Sequence, residues 1–189
     1  MQRPDFNETF SGTPFGGDAS SDWFEPAGGN RDLVVRRFKS LAIDRPVLTR
    51  LFTRWKNTPE RAGIPKLHFH QLDQAPYAAV IQRIDGAAFA PVHGRKEIAT
   101  WRLVRELADV LGHAHKHGVF HGHLHPDLIL LTDTDGDPQP WVLNFGSGLI
   151  GDLHHIDLGE NAAYCAPEQL LSGGRDWDEG RAQRWDVYS

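Results

Sequence analysis

The chain has very little cysteine, no long apolar run and no excess of basic charge. Cys165 is the only cysteine, which excludes an internal disulfide and agrees with a reducing compartment. No run of about 18 apolar residues occurs and the start lacks an apolar signal sequence, so we expect no membrane segment and a cytoplasmic location. The 20 basic and 25 acidic side chains give a formal charge of -5, so we expect no nucleic-acid partner.

The N-terminal stretch also lacks apolar periodicity. Residues 1–22 are rich in Gly, Ser, Asp and Pro, a composition typical of loops and mobile segments. We therefore predict a flexible N-terminal segment over 1–22, with ordered structure beginning near Trp23. The 189 residues amount to roughly one domain.

Alternating and helical apolar patterns predict hairpins and helices after Trp23. Hairpins are predicted over 23–38, 66–84 and 128–143, where apolar runs flank turn-rich segments. Asp44 is predicted to cap an amphipathic helix that follows it. A second helix is predicted over 99–117, where a wide apolar stripe lies opposite charged residues.

Three short motifs follow one another in the second half of the chain. They are HGHLHPDLILL at 121–131, LNFG at 143–146 and AYCAPEQ at 163–169. Their order and spacing resemble the catalytic loop, the metal-binding loop and the end of the activation segment of protein kinases, usually read as HRDLKPENILL, DFG and APE. The resemblance implies an α+β two-lobe fold. The small lobe over 23–85 would be an antiparallel sheet plus one helix, and the large lobe over 86–189 mostly helical, incomplete and truncated at its central helix.

The resemblance also places unsuitable residues at the positions that perform the chemistry. His123 takes the position of the catalytic Asp, and a neutral imidazole lacks the charge that orients a substrate hydroxyl. Leu128 replaces the metal-binding Asn and Asn144 replaces the Asp of DFG, so only Asn144 is left as a degenerate magnesium position. Gly122 replaces the Arg that holds a phosphorylated activation segment in many kinases. In the final WDVYS, Asp186 would bind the backbone of the catalytic loop.

The implied nucleotide cleft is degenerate in the same way. Arg36 takes the position of the conserved Lys, and residues 40–59 contain no Glu to pair with it. GTPFGG at 12–17 has glycines but does not match the phosphate-covering GxGxxG pattern. We expect no cofactor, or ATP and magnesium only with weakened binding. The residues that the resemblance places around a nucleotide are Arg36, Ile81, Gln82 and Asn144.

Three other patterns have an ordinary structural interpretation beside a functional one. His113 and His117 have metal-ligand spacing, but no Cys or HExxH pattern completes a ligand set, so a solvated helix end is favoured. DTDGD at 133–137 hints at a calcium loop, but its Gly is misplaced and a hairpin turn is favoured. The basic face of the helix over 45–56 is favoured to be solvated.

The joint replacement of catalytic, metal-binding and regulatory positions favours one function. We predict a catalytically inactive pseudokinase that acts in protein binding or regulation. The alternative is a slow or atypical Ser/Thr protein kinase, in which His123, Asp127 and Asn144 take over the missing roles and phosphate passes from ATP to protein hydroxyls.

Overall fold

The structure is a computed structural model, and it describes residues 4–18, 20–39, 45–89, 100–134, 137–150, 159–172 and 178–189. These residues form a five-stranded and a three-stranded antiparallel sheet with helices packed around them. The strands are β1 Gly16–Gly17, β2 Ser21–Phe24, β3 Leu33–Phe38, β4 Leu67–Gln71, β5 Ala78–Gln82, β6 Ala87–Ala88, β7 Ile129–Thr134 and β8 Asp137–Val142. The α-helices are α1 Phe6–Ser11, α2 Arg45–Asn57, α3 Thr100–Lys116, α4 Pro167–Ser172 and α5 Glu179–Tyr188.

The larger sheet has the strand order β1-β2-β3-β5-β4. Strands β2 and β3 pair antiparallel, with Trp23 opposite Arg36, and β4 pairs antiparallel with β5. The first two predicted hairpins are therefore confirmed. Strands β3 and β5 lie at the centre, where Val35 pairs with Val80 and both side chains are fully buried. β-Branched residues suit this position because both faces of the central strands are covered.

Helix α1 and strand β1 lie within the segment over 1–22. Asp5 caps α1 by accepting hydrogen bonds from the backbone N–H groups of Asn7 and Glu8, at 2.9 and 3.3 Å. Phe6 is buried, with its ring centroid 5.9 Å from that of Phe69, and Phe10 lies 5.0 Å from Phe24. The described part of this segment thus contains a helix whose two aromatic residues, at helical spacing, pack onto the sheet. The flexibility of the segment stays a prediction.

Helix α2 packs one apolar face against the sheet, as its sequence pattern predicts. Its buried residues are spaced three or four apart, the spacing that lines one side of a helix. Trp55 donates from Nε1 to the Pro65 carbonyl at 2.8 Å, and its ring lies 5.6 Å from that of Phe145 in the LNFG motif. The helix therefore connects the large sheet to this loop. The predicted cap Asp44 lies outside the described residues. The buried face consists of Val47, Leu48, Leu51, Phe52 and Trp55.

The smaller sheet has the order β6-β7-β8 and lies beside α3. Ile129 pairs with Val142, which confirms the third predicted hairpin. Helix α3 confirms the predicted long helix, and Val110 and Ala114 on its apolar stripe are fully buried. The loop over 121–128 connects α3 to β7, so these two elements set the position of the first motif.

Helices α4 and α5 hold the end of the chain against this loop. Trp185 is fully buried and donates from Nε1 to Glu168 Oε1 at 3.1 Å. Asp178 caps α5 by accepting from the Arg181 backbone N–H at 2.8 Å. Among the helices in the described part of the chain, none has the length and apolar character needed to cross a membrane.

Candidate functional site

The loop of the first motif is fastened from α5 by one buried carboxylate. Asp186 accepts the backbone N–H of His121 at 2.9 Å and that of Gly122 at 2.6 Å. Its Oδ2 also lies 2.8 Å from His115 Nε2 on α3. Two N–H donors and an imidazole satisfy a carboxylate that burial would otherwise destabilise. Asp186 binds the loop backbone, as the resemblance implies.

Two further contacts of Gly122 are not suggested by the sequence. The Gln169 side chain in α4 donates from Nε2 to the Gly122 carbonyl at 2.6 Å. Gly122 has a φ of 78°, in the left-handed region that glycine adopts without steric cost. A Cβ at Gly122 would lie 3.3 Å from Gly148 Cα. Both backbone groups of Gly122 are therefore held by side chains, and the loop backbone lies close to the residues after the LNFG motif.

His121 is a structural residue of the loop in its neutral form. Its Nε2 lies 2.8 Å from the Leu143 carbonyl and so donates to it. Nδ1 then accepts from the His123 backbone N–H at 3.2 Å and lies 3.3 Å from Ser147 Oγ. Burial lowers the pKa of His121 to about 4, although the nearby Asp186 carboxylate opposes this shift. His121 is therefore uncharged at neutral pH.

His123, at the position of the catalytic Asp, is a buried imidazole. Its side chain is 7% exposed and its ring lies 5.1 Å from that of His125. Burial, together with the charge that His125 carries when protonated, lowers the pKa of His123 to about 4. Its Nε2 has no hydrogen-bond partner among the described residues. A base with so low a pKa is a poor proton acceptor at pH 7, because general-base catalysis favours a pKa near the working pH.

Asn144, at the position of the DFG Asp, has an unusual backbone and a free amide. Its φ is 59°, a left-handed value that Asn tolerates better than most residues. The side chain is 9% exposed, and Nδ2 finds no acceptor within the described parts of the chain. The Asn144 amide can offer a metal ion only one neutral oxygen, Oδ1, where magnesium prefers a carboxylate. Leu128, at the other metal-binding position, offers no side-chain oxygen.

A cavity of about 240 Å³ lies between the two sheets. Val34 of β3 lines it from the large sheet, and Leu130 of β7 lines it from the small sheet. His123 is not among its lining residues. The structure thus brings four of the five predicted site residues to one cavity and leaves His123 outside its lining. These four residues are Arg36, Ile81, Gln82 and Asn144.

The turn between β1 and β2 holds Arg36. The guanidinium donates from Nε to Ser21 Oγ at 2.7 Å, and from Nη2 to Ser20 Oγ at 3.1 Å and to Asp18 Oδ2 at 3.2 Å. Arg36 is 2% exposed, and its Nη1 has no partner among the described residues. Sequence reasoning missed these partners. The only sequence signal for these contacts is the group Asp18, Ser20 and Ser21, which comes shortly before the strand that carries Arg36.

The buried Arg36 guanidinium and the partly exposed Asp18 carboxylate form an ion pair. Burial raises the pKa of Asp18, but the Arg36 charge and hydrogen bonds from Ser20 and Ser21 outweigh burial and hold this pKa below its ordinary value. Burial also lowers the pKa of Arg36, and Asp18 offsets part of this effect. Both groups are therefore charged at neutral pH, and each neutralises the other.

The described residues show no ligand set for a metal site near His113 and His117. His113 and His117 have ring centroids 4.6 Å apart. Within the described residues, however, no three His, Cys, Asp or Glu side chains are grouped so that they could hold a metal ion. The turn of the DTDGD segment, at 135–136, lies outside the described residues. A magnesium ion at Asn144 would lack the carboxylates that it prefers, so the residues present do not fit one.

The chain is similar in sequence to parts of known protein kinases. No protein-family model matches the chain. The chain is 35% identical over 98 residues to CBL-interacting protein kinase 22 of Oryza sativa subsp. japonica, which covers 47% of this chain and 21% of that protein. It is 33% identical over 123 residues to the serine/threonine-protein kinase Pkn1 of Myxococcus xanthus, covering 60% of this chain and 17% of that protein. The matches thus span about a fifth of the length of these curated relatives.

A solved structure matches nearly the whole chain. The kinase domain of the maize sucrose-induced receptor kinase 1, bound to AMP-PNP, superposes with a TM-score of 0.64 at 14% sequence identity. The match covers 97% of this chain and 68% of that chain. Together with the ordered motifs and the loop that Asp186 fastens, these similarities show that the chain has a protein-kinase-like fold.

Proposed function

We propose that this kinase-like domain is a pseudokinase, which acts by binding or regulating other proteins and does not transfer phosphate. The observation that carries the proposal is the buried, neutral state of His123 at the position of the catalytic Asp. Phosphoryl transfer requires a residue that accepts the substrate hydroxyl proton. At this position the chain has a buried imidazole with a pKa of about 4. Loss of a general base typically lowers the rate by about 10²- to 10⁴-fold.

The metal and phosphate positions add to this effect. Asn144 and Leu128 supply no carboxylate for magnesium, and Asp18 already pairs with Arg36 at 3.2 Å. Phosphoryl transfer relies on positioning the phosphates and on neutralising their charge. The residues that this chain has at the magnesium and lysine positions are poorly suited to both tasks. A cytoplasmic location is part of the proposal, and the buried Cys165, which forms no disulfide, agrees with a reducing compartment.

A slow kinase is the second candidate, and one observation favours it. His123 Nε2 has no partner among the described residues, so it is free to accept a proton from a hydroxyl. This candidate predicts a rate that rises with pH through the low pKa of His123 and that requires a metal ion held at Asn144.

A phosphotransfer assay separates the two candidates. Purified protein is incubated with labelled ATP, magnesium and a general protein substrate, and the wild type is compared with His123→Ala and Asn144→Ala. His68→Ala is the matched control, because His68 lines a different cavity from the one that Asn144 lines. We expect labelling at background in all four proteins. Magnesium-dependent labelling that His123→Ala and Asn144→Ala abolish and His68→Ala retains would overturn the proposal.

A further inference from the structure

The large sheet has a second apolar face, on the side away from α2. Successive side chains of a strand point to opposite faces of its sheet. Val34 and Ile81 belong to the apolar cluster that contains the buried face of α2, whereas their neighbours Val35 and Val80 belong to a separate cluster. We refer to the side of Val35 and Val80 as the outer face. Its apolar side chains are Phe24, Leu33, Val35, Phe69, Ala78 and Val80.

Helix α1 covers the outer face with side chains that share one side of the helix. Phe6, Thr9 and Phe10 have the spacing i, i+3 and i+4, which places them together on the helix surface. The Phe6 ring centroid lies 5.9 Å from that of Phe69, and the Phe10 ring centroid lies 5.0 Å from that of Phe24. The two phenylalanine rings of α1 also stack on each other at 5.4 Å. This arrangement is that of an amphipathic helix in an apolar groove, with anchors one turn apart.

Two polar contacts orient the helix on the outer face. Thr9 Oγ1 accepts a hydrogen bond from the Ala27 backbone N–H at 3.2 Å. The Arg37 guanidinium lies 5.3 Å from the centre of the Phe10 ring and 4.8 Å from that of the Phe24 ring, where a cation is attracted to an aromatic face. The outer face therefore selects a hydroxyl and an aromatic ring as well as apolar surface.

Helix α1 depends on the outer face for its own stability. It has six residues, whereas isolated helices shorter than about 12 to 15 residues are marginal in water. Residues 12–15 connect it to β1, and so short a connection gives α1 a high effective concentration at the face. The contacts that hold α1 are therefore those of a binding site, and a helix from another protein that carries the same side chains could make them.

We propose that the outer face is a docking groove for a short helix of a partner protein, and that α1 occupies this groove until the partner helix displaces it. The partner helix carries two aromatic residues four apart and a hydroxyl residue directly before the second. Its rings pack against Phe69 and Phe24, and its hydroxyl accepts the Ala27 N–H. This inference rests on the proposed function, because it names the surface through which a domain that does not transfer phosphate binds a protein.

The test measures binding of a fluorescently labelled peptide by fluorescence anisotropy. The peptide has the sequence of residues 4–13, PDFNETFSGT, and it stands in for the partner helix. The Phe6→Ala/Phe10→Ala double variant, which removes the anchors of α1, should bind this peptide at least about tenfold more tightly than the wild type, because the competing helix no longer fills the groove. Phe15→Ala is the matched control. Phe15 is 48% exposed and lies outside the outer face, so this variant should keep the weak affinity of the wild type.

Two further measurements show whether the peptide uses the groove. A peptide in which both phenylalanines are replaced by alanine should bind none of these proteins. Phe69→Ala, added to the double variant, removes the ring that Phe6 contacts and should weaken peptide binding at least about tenfold, because buried aromatic contacts dominate such interfaces.

Several results would overturn the inference. They are equal peptide affinity for the wild type and the double variant, no binding to the double variant, binding of the alanine peptide, and binding that Phe69→Ala leaves unchanged. If the double variant does not unfold cooperatively, Phe10→Ala replaces it, because Phe10 is only half-buried. This variant should bind the peptide at least about threefold more tightly than the wild type, and no gain contradicts the inference. Absence of peptide binding would overturn only this inference, whereas phosphotransfer above background would overturn the proposed function and leave the groove in place.

Discussion

The buried histidines His121 and His123 make the folded protein sensitive to mild acid. Burial lowers the pKa of each to about 4, whereas an unfolded histidine has a pKa of about 6.5. Between these values the unfolded chain binds protons that the folded chain does not, so the free energy of unfolding falls as the pH drops from about 6.5 towards 4. A pH of 5 lies about 1.5 units below the pKa of an unfolded histidine. At about 1.36 kcal/mol per unit, each histidine therefore costs about 2 kcal/mol.

Urea unfolding followed by tryptophan fluorescence at pH 7, 6 and 5 measures this loss. We compare the wild type with His123→Asn, which cannot titrate in this range. The variant should lose about 2 kcal/mol less than the wild type between pH 7 and pH 5. His123 also contributes to the low pKa of His121 when it is protonated, so its removal can only enlarge the difference.

The comparison does not depend on how much His123→Asn changes stability at neutral pH. Between pH 7.5 and 8.5 both histidines are uncharged in both states, so the two proteins should keep a constant difference there. Equal losses for wild type and variant between pH 7 and pH 5 would refute the reasoning, because they would mean that His123 titrates normally in the folded state.

Two further changes test how the loop is held. In Gly148→Ala the new Cβ would lie against the Gly122 carbonyl oxygen and 2.8 Å from Gly122 Cα, so we expect a loss of about 1 to 3 kcal/mol in urea unfolding. Gly112→Ala, in α3 with nothing within 4 Å of the new Cβ, should instead gain up to about 1 kcal/mol, and equal effects would contradict this. Asp186→Asn replaces a carboxylate that accepts two backbone N–H groups, and should cost about 1.5 to 3 kcal/mol. A loss below about 0.5 kcal/mol would show that the carboxylate does not hold the loop.

The regular elements could be predicted because their signals are local. Strands and helices each have their own apolar period, and the hairpins over 23–38 and 128–143 and the helix over 99–117 all appear in the structure. The first helix was missed although Phe6 and Phe10 have helical spacing, because Gly and Ser dominate the composition around them. A helix as short as α1, with six residues, gains its stability from packing onto the sheet, and a local pattern does not reveal such packing.

The site was predictable to the extent that its residues lie in motifs. His123 and Asn144 were found by their position in a known order, and Asp186 by the same resemblance. The pairing of Asp18 with Arg36 could not be predicted in this way, because only the strand register brings the β1–β2 turn next to the Arg36 side chain. The hydrogen bond from Gln169 to Gly122 crosses a large separation along the chain and follows no sequence period. Both contacts arise from tertiary structure alone.

The backbone of Gly122 limits which side chains this position of the loop can accept. Its N–H is bound by Asp186 and its carbonyl by Gln169, in a left-handed conformation with φ of 78°. An arginine in its place would carry a strained backbone, at a cost of about 1 to 3 kcal/mol, and would bring a Cβ to 3.3 Å from Gly148 Cα. Any side chain at position 122 therefore also requires the backbone around Gly148 to move, so these two glycines constrain each other's replacement.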